Sequence, residues 1–316
     1  MSDASTLAPL APPPLRGIVV AVEPVADEPP PAALRTRTRT RSRVGRVLGL
    51  ALLLLSPLLL FGLLGPLLQP LDPNAITPAN ALKPPLLFGG STAHVLGTDH
   101  MGRDVLSRLI DGARSSLIVA FFGVGLAGAI GVAVGLVAGT RRGWLDELLM
   151  RVVDMQLAIP PILLAVLLAG AIGGGLATVV ATLSVTFWPT YARVVRAETL
   201  VQMQRDHVAL ARVAGASRWR IMRWHVLPHV LSSVVVLGTL QLGAAVGLEA
   251  ALTFLGLGVQ PPASAWGLMI SEGKLYMTRA WWLPTVPGIA IVMTVLGANL
   301  LGDWLRDRLD PRLRQL

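Results

Sequence analysis

The chain has 316 residues, 53% hydrophobic and 14% charged, a balance too apolar for a soluble domain with a polar exterior. Its net charge of +9 does not make it a nucleic-acid binder, because arginines gather in the loops on one side of a membrane protein. It has no cysteine, so disulfides, thiol catalysis and cysteine metal sites are excluded.

Several continuous runs of about 18 or more mostly apolar residues are long enough to cross a bilayer as helices, and they do not alternate as barrel strands would. Residues 1–34 are rich in Pro and Ala, lack apolar periodicity and are expected to be disordered. Arg35, Arg37, Arg39, Arg41, Arg43 and Arg46 follow, a basic run that serves as a topology signal or meets anionic headgroups. The first span is expected from about Val47 to Gly65, an uncleaved anchor that Pro57 can kink. Residues 66–112 are proline-rich up to Pro85 and then polar. Val105, Leu106, Leu109 and Ile110 share one face and predict a short amphipathic helix at the membrane surface.

The second span runs from about Ser116 to Gly139 and carries Gly123, Gly125, Gly128, Gly131 and Gly135, small residues that favour close helix packing in lipid. The third is expected from about Val152 to Ala171, with Pro160 and Pro161 near its start. The fourth runs from about Ala177 to Val195, the fifth from Leu231 to Leu257 and the sixth from Leu283 to Leu301. The expected fold is an all-α membrane protein with six transmembrane helices and both termini cytoplasmic. Sidedness follows from charge. Arginines crowd the N-terminal arm, positions 141, 142 and 151, the stretch from Arg193 to Arg223, and the tail from Arg306. The opposite side has only Lys83, Arg103, Arg108, Arg114, Lys274 and Arg279.

The longest polar insert between apolar runs is Asp206 to His229. It reads as two short helices. The first ends near Val213 at a left-handed Gly215. The second is N-capped by Ser217 and ended by Pro228. Small residues at the joint (Ala209, Ala211, Ala214, Gly215, Ala216) let another surface approach the backbone. The stretch is read as a docking element.

No G-x-x-x-x-G-K-[ST] occurs, so the chain has no phosphate-cradling loop of its own. No metal-binding spacing is present. His94, His100 and His207 are scattered, and Pro228 is expected to break any helix aligning His225 with His229. Catalysis by this chain alone is not expected.

Residues 206–228 resemble the coupling loop of bacterial ABC-importer permeases, with Ala209-Leu210-Ala211, Gly215 and Leu227-Pro228 at the family's spacing. The chain departs from the pattern at Ala209, where the family has glutamate, and at Leu210, where it has alanine. Further matches are GTDHMGRD at 97–104, WPTYAR at 188–193, EAALTFLGLGVQPP at 249–262, WG at 266–267 and NLLGDWLRDRLDPR at 299–312. Together they are similar to the "C" subunit of dipeptide/oligopeptide-type permeases.

The resemblance implies an inner-membrane importer subunit. Its implied partners are a second homologous permease, two cytoplasmic ATPases that bind the ATP and magnesium, an extracytoplasmic binding protein and the lipid bilayer, with no nucleic acid. It implies di- or oligopeptides as substrate, with nickel, glutathione or another small solute as alternatives in the same class. An ion-coupled secondary transporter is a further alternative, disfavoured because neither inverted repeats nor paired broken helices are seen. Ala209, Leu210, Ala211, Gly215, Ala216, Ser217, Arg218 and Trp219 become the ATPase-coupling residues. The resemblance covers residues from about 97 onward and gives the first 43 no counterpart; the expected organisation is a disordered Pro/Ala/Arg-rich cytoplasmic arm at 1–43, the first span with an extracytoplasmic segment at 44–112, and a five-helix core at 113–316 with the coupling loop at about 205–228 and a cytoplasmic tail.

Glu249 is a charge at membrane depth, which is costly and needs an interior or a wet cavity. Two roles stand open for it: lining a pathway that meets a charged peptide terminus, or tying helices through a polar group on the partner subunit. Asp154 and Glu198 are expected near span ends, solvated. Trp266, Tyr276, Trp281 and Trp282 are expected outside the membrane, at an interface or against the binding protein.

Overall fold

In the computed structural model residues 37–309 are described, with side chains from Gly45. The chain divides into two compact units, Met1–Thr40 and Arg41–Leu316. The first lies almost wholly outside the described residues, as do the expected disorder of residues 1–34 and the side chains of the basic arm. The fold described is that of the second unit.

Ten α-helices are found among the described residues: α1 (Arg37–Leu68), α2 (Val105–Arg141), α3 (Trp144–Leu157), α4 (Pro161–Ile172), α5 (Leu176–Gln202), α6 (Asp206–Val213), α7 (Arg218–Ile221), α8 (Leu227–Phe254), α9 (Trp266–Gly273) and α10 (Trp282–Leu309). Among these residues there is no strand, only an isolated bridge between Thr98 and Asp104. Four helical stretches are long and apolar enough to cross a membrane: Gly45–Leu68, Val105–Arg141, Arg218–Phe254 and Trp282–Leu309. A broken pair, α3 with α4, makes a fifth.

Three expectations about element ends are corrected. The amphipathic helix at 105–112 is not separate from the second span. Both belong to α2, 37 residues and about 55 Å long. Asp104 caps it by accepting from the Ser107 N–H at 2.8 Å, and nothing between Val105 and Ser116 breaks the ladder. Gly112 sits inside it because Trp266 lies where a β-carbon would stand, its Cδ1 2.9 Å from that point.

The third expected span is not one helix either. Pro160 and Pro161 cannot continue α3, and α4 leaves at 90°. Finally, Pro228 does not end the helix that Ser217 starts. Residues Met222–Val226 form a π turn, with the Leu227 N–H bonded to the Met222 carbonyl. The wider turn shifts the bonding register just before the proline that lacks an N–H. The helix then runs on as α8, with Pro228 in its first turn.

α5 contains the expected fourth span. Two of its hydroxyls are satisfied within the helix: Ser184 donates to the Val180 carbonyl and Thr186 to the Thr182 carbonyl, both at 2.7 Å. α5 packs along α2 over a seam of glycines. A β-carbon at Gly131, Gly135 or Gly139 would lie 2.4–2.7 Å from its closest neighbour, among Tyr191, Ala192, Val195 and Thr199 of α5. Without a hydrophobic drive between helices in lipid, such close backbone approach is what holds them together. The main core gathers α2, α5, α8, α9 and α10 around Val119, Leu183, Leu252 and Trp266.

Candidate functional site

The 206–221 stretch folds as expected at its joint. The Ala216 N–H bonds to the Ala211 carbonyl at 2.9 Å and the Gly215 N–H to the Arg212 carbonyl at 3.0 Å. This is the paired C-terminal cap that needs a left-handed residue, and Gly215 supplies it with φ +80°. Ser217 caps α7, accepting from the Arg220 N–H at 3.3 Å.

One face of this stretch is anchored. Val208 and Ile221 are buried with Leu136 of α2, Val195 of α5 and Val226 and Val230 beneath them, and Ala211 and Ala216 pack against that small core. The other face is apolar and open: Leu210 is 69% exposed, Val213 88% and Trp219 65%. Ala209, Gly215, Ser217 and Arg218 are exposed beside them. The eight coupling candidates therefore divide, with Ala211 and Ala216 on the seated side and the other six toward the open side.

His207 stacks on His229 at 5.4 Å and on His225 at 6.3 Å between ring centroids, a grouping the sequence did not suggest. The His229 Nδ1 donates to the His225 carbonyl at 2.9 Å. Because Pro228 leaves the helix unbroken, its expected separation of these two histidines is also corrected.

Glu249 is fully buried. Its carboxylate accepts from the Ser116 hydroxyl of α2 at 3.1 Å and from the Thr253 hydroxyl at 2.9 Å. It thus ties α8 to α2 through polar groups of its own chain. Asp154 is exposed, as expected, in a surface pair with Arg193, whereas Glu198 is half-buried and accepts from the Ser233 hydroxyl, so it is not merely solvated. Arg196 grips Asp146 of α3 with two of its nitrogens, Nε donating to Oδ1 and Nη2 to Oδ2, the latter at 2.7 Å.

A charge cluster at the other end of α2 escaped the sequence reading. Asp99 Oδ2 accepts from Arg103 Nε at 2.6 Å and from Arg108 Nη1 at 2.7 Å. Glu272 Oε2 accepts from Arg103 Nη2 at 2.9 Å and from Arg108 Nη1 at 2.7 Å. Arg103, Arg108 and Asp99 are buried. The loop that delivers Asp99 needs Gly102, where a β-carbon would sit 1.9 Å from the Thr77 carbonyl oxygen.

Burial would raise the Asp99 carboxyl. The Arg103 backbone N–H and the charges of Arg103 and Arg108 outweigh it, and its pKa lies below the ordinary value. Asp99, His100 and Glu272 bring ligand atoms within 4.8 Å of one another. Both carboxylates already face guanidinium groups, so this is a neutral ion cluster and a poor cation site.

Trp266 and Trp282 are buried, donating to the Leu109 and Thr98 carbonyls. They hold the fold from inside and do not face a partner, which corrects that expectation. Trp281 is part-exposed against Phe88, and Tyr276 stacks on His100.

Apolar spans in glycine-seamed contact, with one short helical segment seated inward and bare outward, define an integral membrane subunit that works with other proteins. The chain belongs to the family described as binding-protein-dependent transport system inner membrane component, which it matches over residues 131–315. It is similar to the di/tripeptide transport system permease protein DppC of Pseudomonas aeruginosa (strain UCBPP-PA14), 42% identical over 253 residues, 80% of this chain and 84% of the relative. It also resembles the dipeptide transport system permease protein DppC of Haemophilus influenzae, 39% identical over 272 residues, 86% and 92% of the two chains. The glutathione transport system permease protein GsiD of Pectobacterium atrosepticum is 43% identical over 226 residues, 72% and 75% of the two.

Among solved structures, the inward-facing MetNI methionine ABC transporter superposes with a TM-score of 0.54 at 22% identity, covering 64% of this chain and 96% of that one. That likeness concerns the fold. The chain is an inner-membrane transport component and not an enzyme.

Proposed function

We propose that the chain is one of two related permease subunits in an ATP-driven importer of di- and oligopeptides. α3 and α4 form one broken crossing and α5 another, giving six crossings with both termini in the cytoplasm. Two cytoplasmic ATPases bind the nucleotide and magnesium, and an extracytoplasmic binding protein delivers the peptide. The observation that carries this reading is the two-faced 206–221 segment. Its inner face is packed on the C-terminal parts of α2 and α5 and the first turn of α8, while Leu210, Val213 and Trp219 stand clear for a partner's cleft. Motion imposed on that segment reaches three spans as a rigid push.

Alternating access follows. ATPase closure opens the path outward, and hydrolysis returns it inward. Ala209 removes any contact that a glutamate would make, so the joint rests on backbone shape. Glutathione, itself a small peptide, is the second substrate reading, favoured by the similarity to the Pectobacterium protein.

Gly215 gives the direct test. A β-carbon there meets nothing within 4 Å, so substitution acts only through the left-handed backbone and the partner surface. Asn tolerates that backbone and Val does not, at a cost of about 1–3 kcal/mol. In vesicles of the complete transporter, Gly215→Val is expected to lower peptide uptake about tenfold or more while ATP hydrolysis and membrane insertion persist. Gly215→Asn is expected to retain uptake. Equal uptake by the two variants would remove the coupling role.

Glu249→Gln can keep both hydroxyl contacts, so it is expected to change uptake of charged and neutral peptides equally. A selective loss of charged peptides would return Glu249 to the pathway.

A further inference from the structure

His207 lies in the first turn of α6, His225 in the π turn and His229 at the head of α8. Each stands one residue before a member of the small core, Val208, Val226 and Val230. The three rings therefore rim the seat that holds the 206–221 segment. The His207 ring stacks on the other two, with interplanar angles of 23° to His229 and 15° to His225. The nitrogens of near-parallel rings do not converge on one point, so the group is a stack and not a metal cage.

Such a stack suits neutral imidazoles. Two protonated rings at these distances repel, and the surroundings do little to offset that. Among the described residues none of the three forms an ion pair. The elements packed around them bring two acids, Asp206 of α6 and Glu198 of α5, and Glu198 is occupied by the Ser233 hydroxyl. Against these stand Arg205, Arg212, Arg218, Arg220 and Arg223 on the segment itself, Arg141 ending α2, and Arg196 on α5, the last held by Asp146. α8 adds no charge between His229 and Glu249. His225 Nδ1 is buried and has no hydrogen-bond partner among the described residues. A charged imidazole carries a hydrogen on both nitrogens, so protonating His225 in place would leave a buried N–H unsatisfied. His225 therefore becomes charged readily only when its ring leaves the stack.

We propose that the His207–His225–His229 stack is a proton-sensitive fastener of the coupling segment. Neutral rings hold α6 on the head of α8. Acidification on the ATPase side charges them, the stack parts, and Val208 loses its seat beside Val226 and Val230. The push from the ATPases then reaches the spans less completely. The sign follows from the form that the stack excludes. Its contribution is whole above the ordinary histidine range, about 6.5, and is lost as pH falls through it. The inference rests on the coupling role proposed for residues 206–221.

The test uses the complete transporter. Its first readout is amide hydrogen exchange in residues 206–213, corrected for the intrinsic effect of pH. A histidine of ordinary value that charges only in the open form raises opening about fourfold from about pH 7.5 to about pH 6, and two raise it about tenfold or more. Wild-type exchange is expected to rise within that range. His207→Phe/His225→Phe keeps two rings to stack but only one group to charge, and its rise is expected to stay below about twofold. His207→Phe alone, on an exposed ring, is expected to give an intermediate rise and serves if the double variant does not fold. The second readout is peptide uptake per ATP hydrolysed in proteoliposomes, with pH varied on the ATPase side only. It is expected to fall about threefold in the wild type over the same range and to hold in the double variant.

The same pH dependence of exchange in wild type and double variant would make the stack a structural contact only and overturn the proposal. If EDTA removes the wild-type dependence, a bound metal ion and not the proton controls the stack, with the same consequence. Exchange that responds while uptake per ATP does not would also overturn it. If the wild type imports no peptide at any pH, the function proposed above falls, while the exchange comparison still decides whether protons open the stack.

Discussion

Gly135→Leu is expected to unseat α2 from α5 and to leave little folded protein in detergent. A β-carbon at Gly135 would sit 2.7 Å from the Ala192 carbonyl oxygen and 2.7 Å from Val195 Cβ. A backbone carbonyl cannot swing aside as the end of a flexible side chain can, so the helices must part. Parting them weakens the neighbouring contacts at Gly131 and Gly139 as well. Overpacking of this kind costs up to about 3 kcal/mol, and more where a whole seam opens. Gly125→Leu on the same helix is the control, since its β-carbon meets nothing. Thermal melting with size-exclusion recovery separates them. Equal melting temperatures for the two variants would show that the seam does not hold the bundle.

Arg108→Met is expected to be nearly as damaging, for an electrostatic reason. Arg108 bridges Asp99 and Glu272 with a single nitrogen, Nη1. Removing it leaves two carboxylates sharing only Arg103, with Asp99 buried. Breaking one partner from a buried ion group costs about 3–5 kcal/mol. Pairing the change with Glu272→Gln removes the excess negative charge and is expected to restore part of the loss. No restoration would mean that the arginine acts through packing alone.

The pH dependence follows from the lowered Asp99 pKa. A depressed carboxylate contributes stability in full above its unfolded value, about 3.9, and loses it as pH falls through the folded value. Acidification from neutrality to about pH 5 therefore leaves this contribution intact in the wild type. Arg108→Met is expected to move the acid loss to higher pH, because one of the charges holding Asp99 ionised is gone.

The sequence carried the membrane class, most of the spans and the Gly215 joint, because each depends on local composition or on one backbone angle. It did not carry what depends on distant partners. Arg108 flanks the stripe expected to be apolar, on a helix that could equally have left it in water, so the sequence held no clear signal for the charge cluster. Glu272, the partner that explains it, lies 164 residues away with no local mark. Glu249 was visible as a misplaced charge, but Ser116 was not visible as its partner on α2. Pro228 misled because a proline reads as a stop, and the π turn that accommodates it has no composition of its own. Trp266 and Trp282 misled similarly, since buried and interfacial tryptophans look alike in a sequence. His207 completed a histidine stack only when α6 folded back over residues 225–229.

The Arg108–Glu272 pair also sets an order in time. Asp99 emerges from the ribosome nine residues before Arg108, so that half of the cluster can close at once. Glu272 follows 164 residues later, roughly 8 to 33 s at ordinary synthesis rates. Through that interval α2 stands at the translocon with two arginines sharing one carboxylate. The cluster therefore stays half-built until α9 brings Glu272 to it.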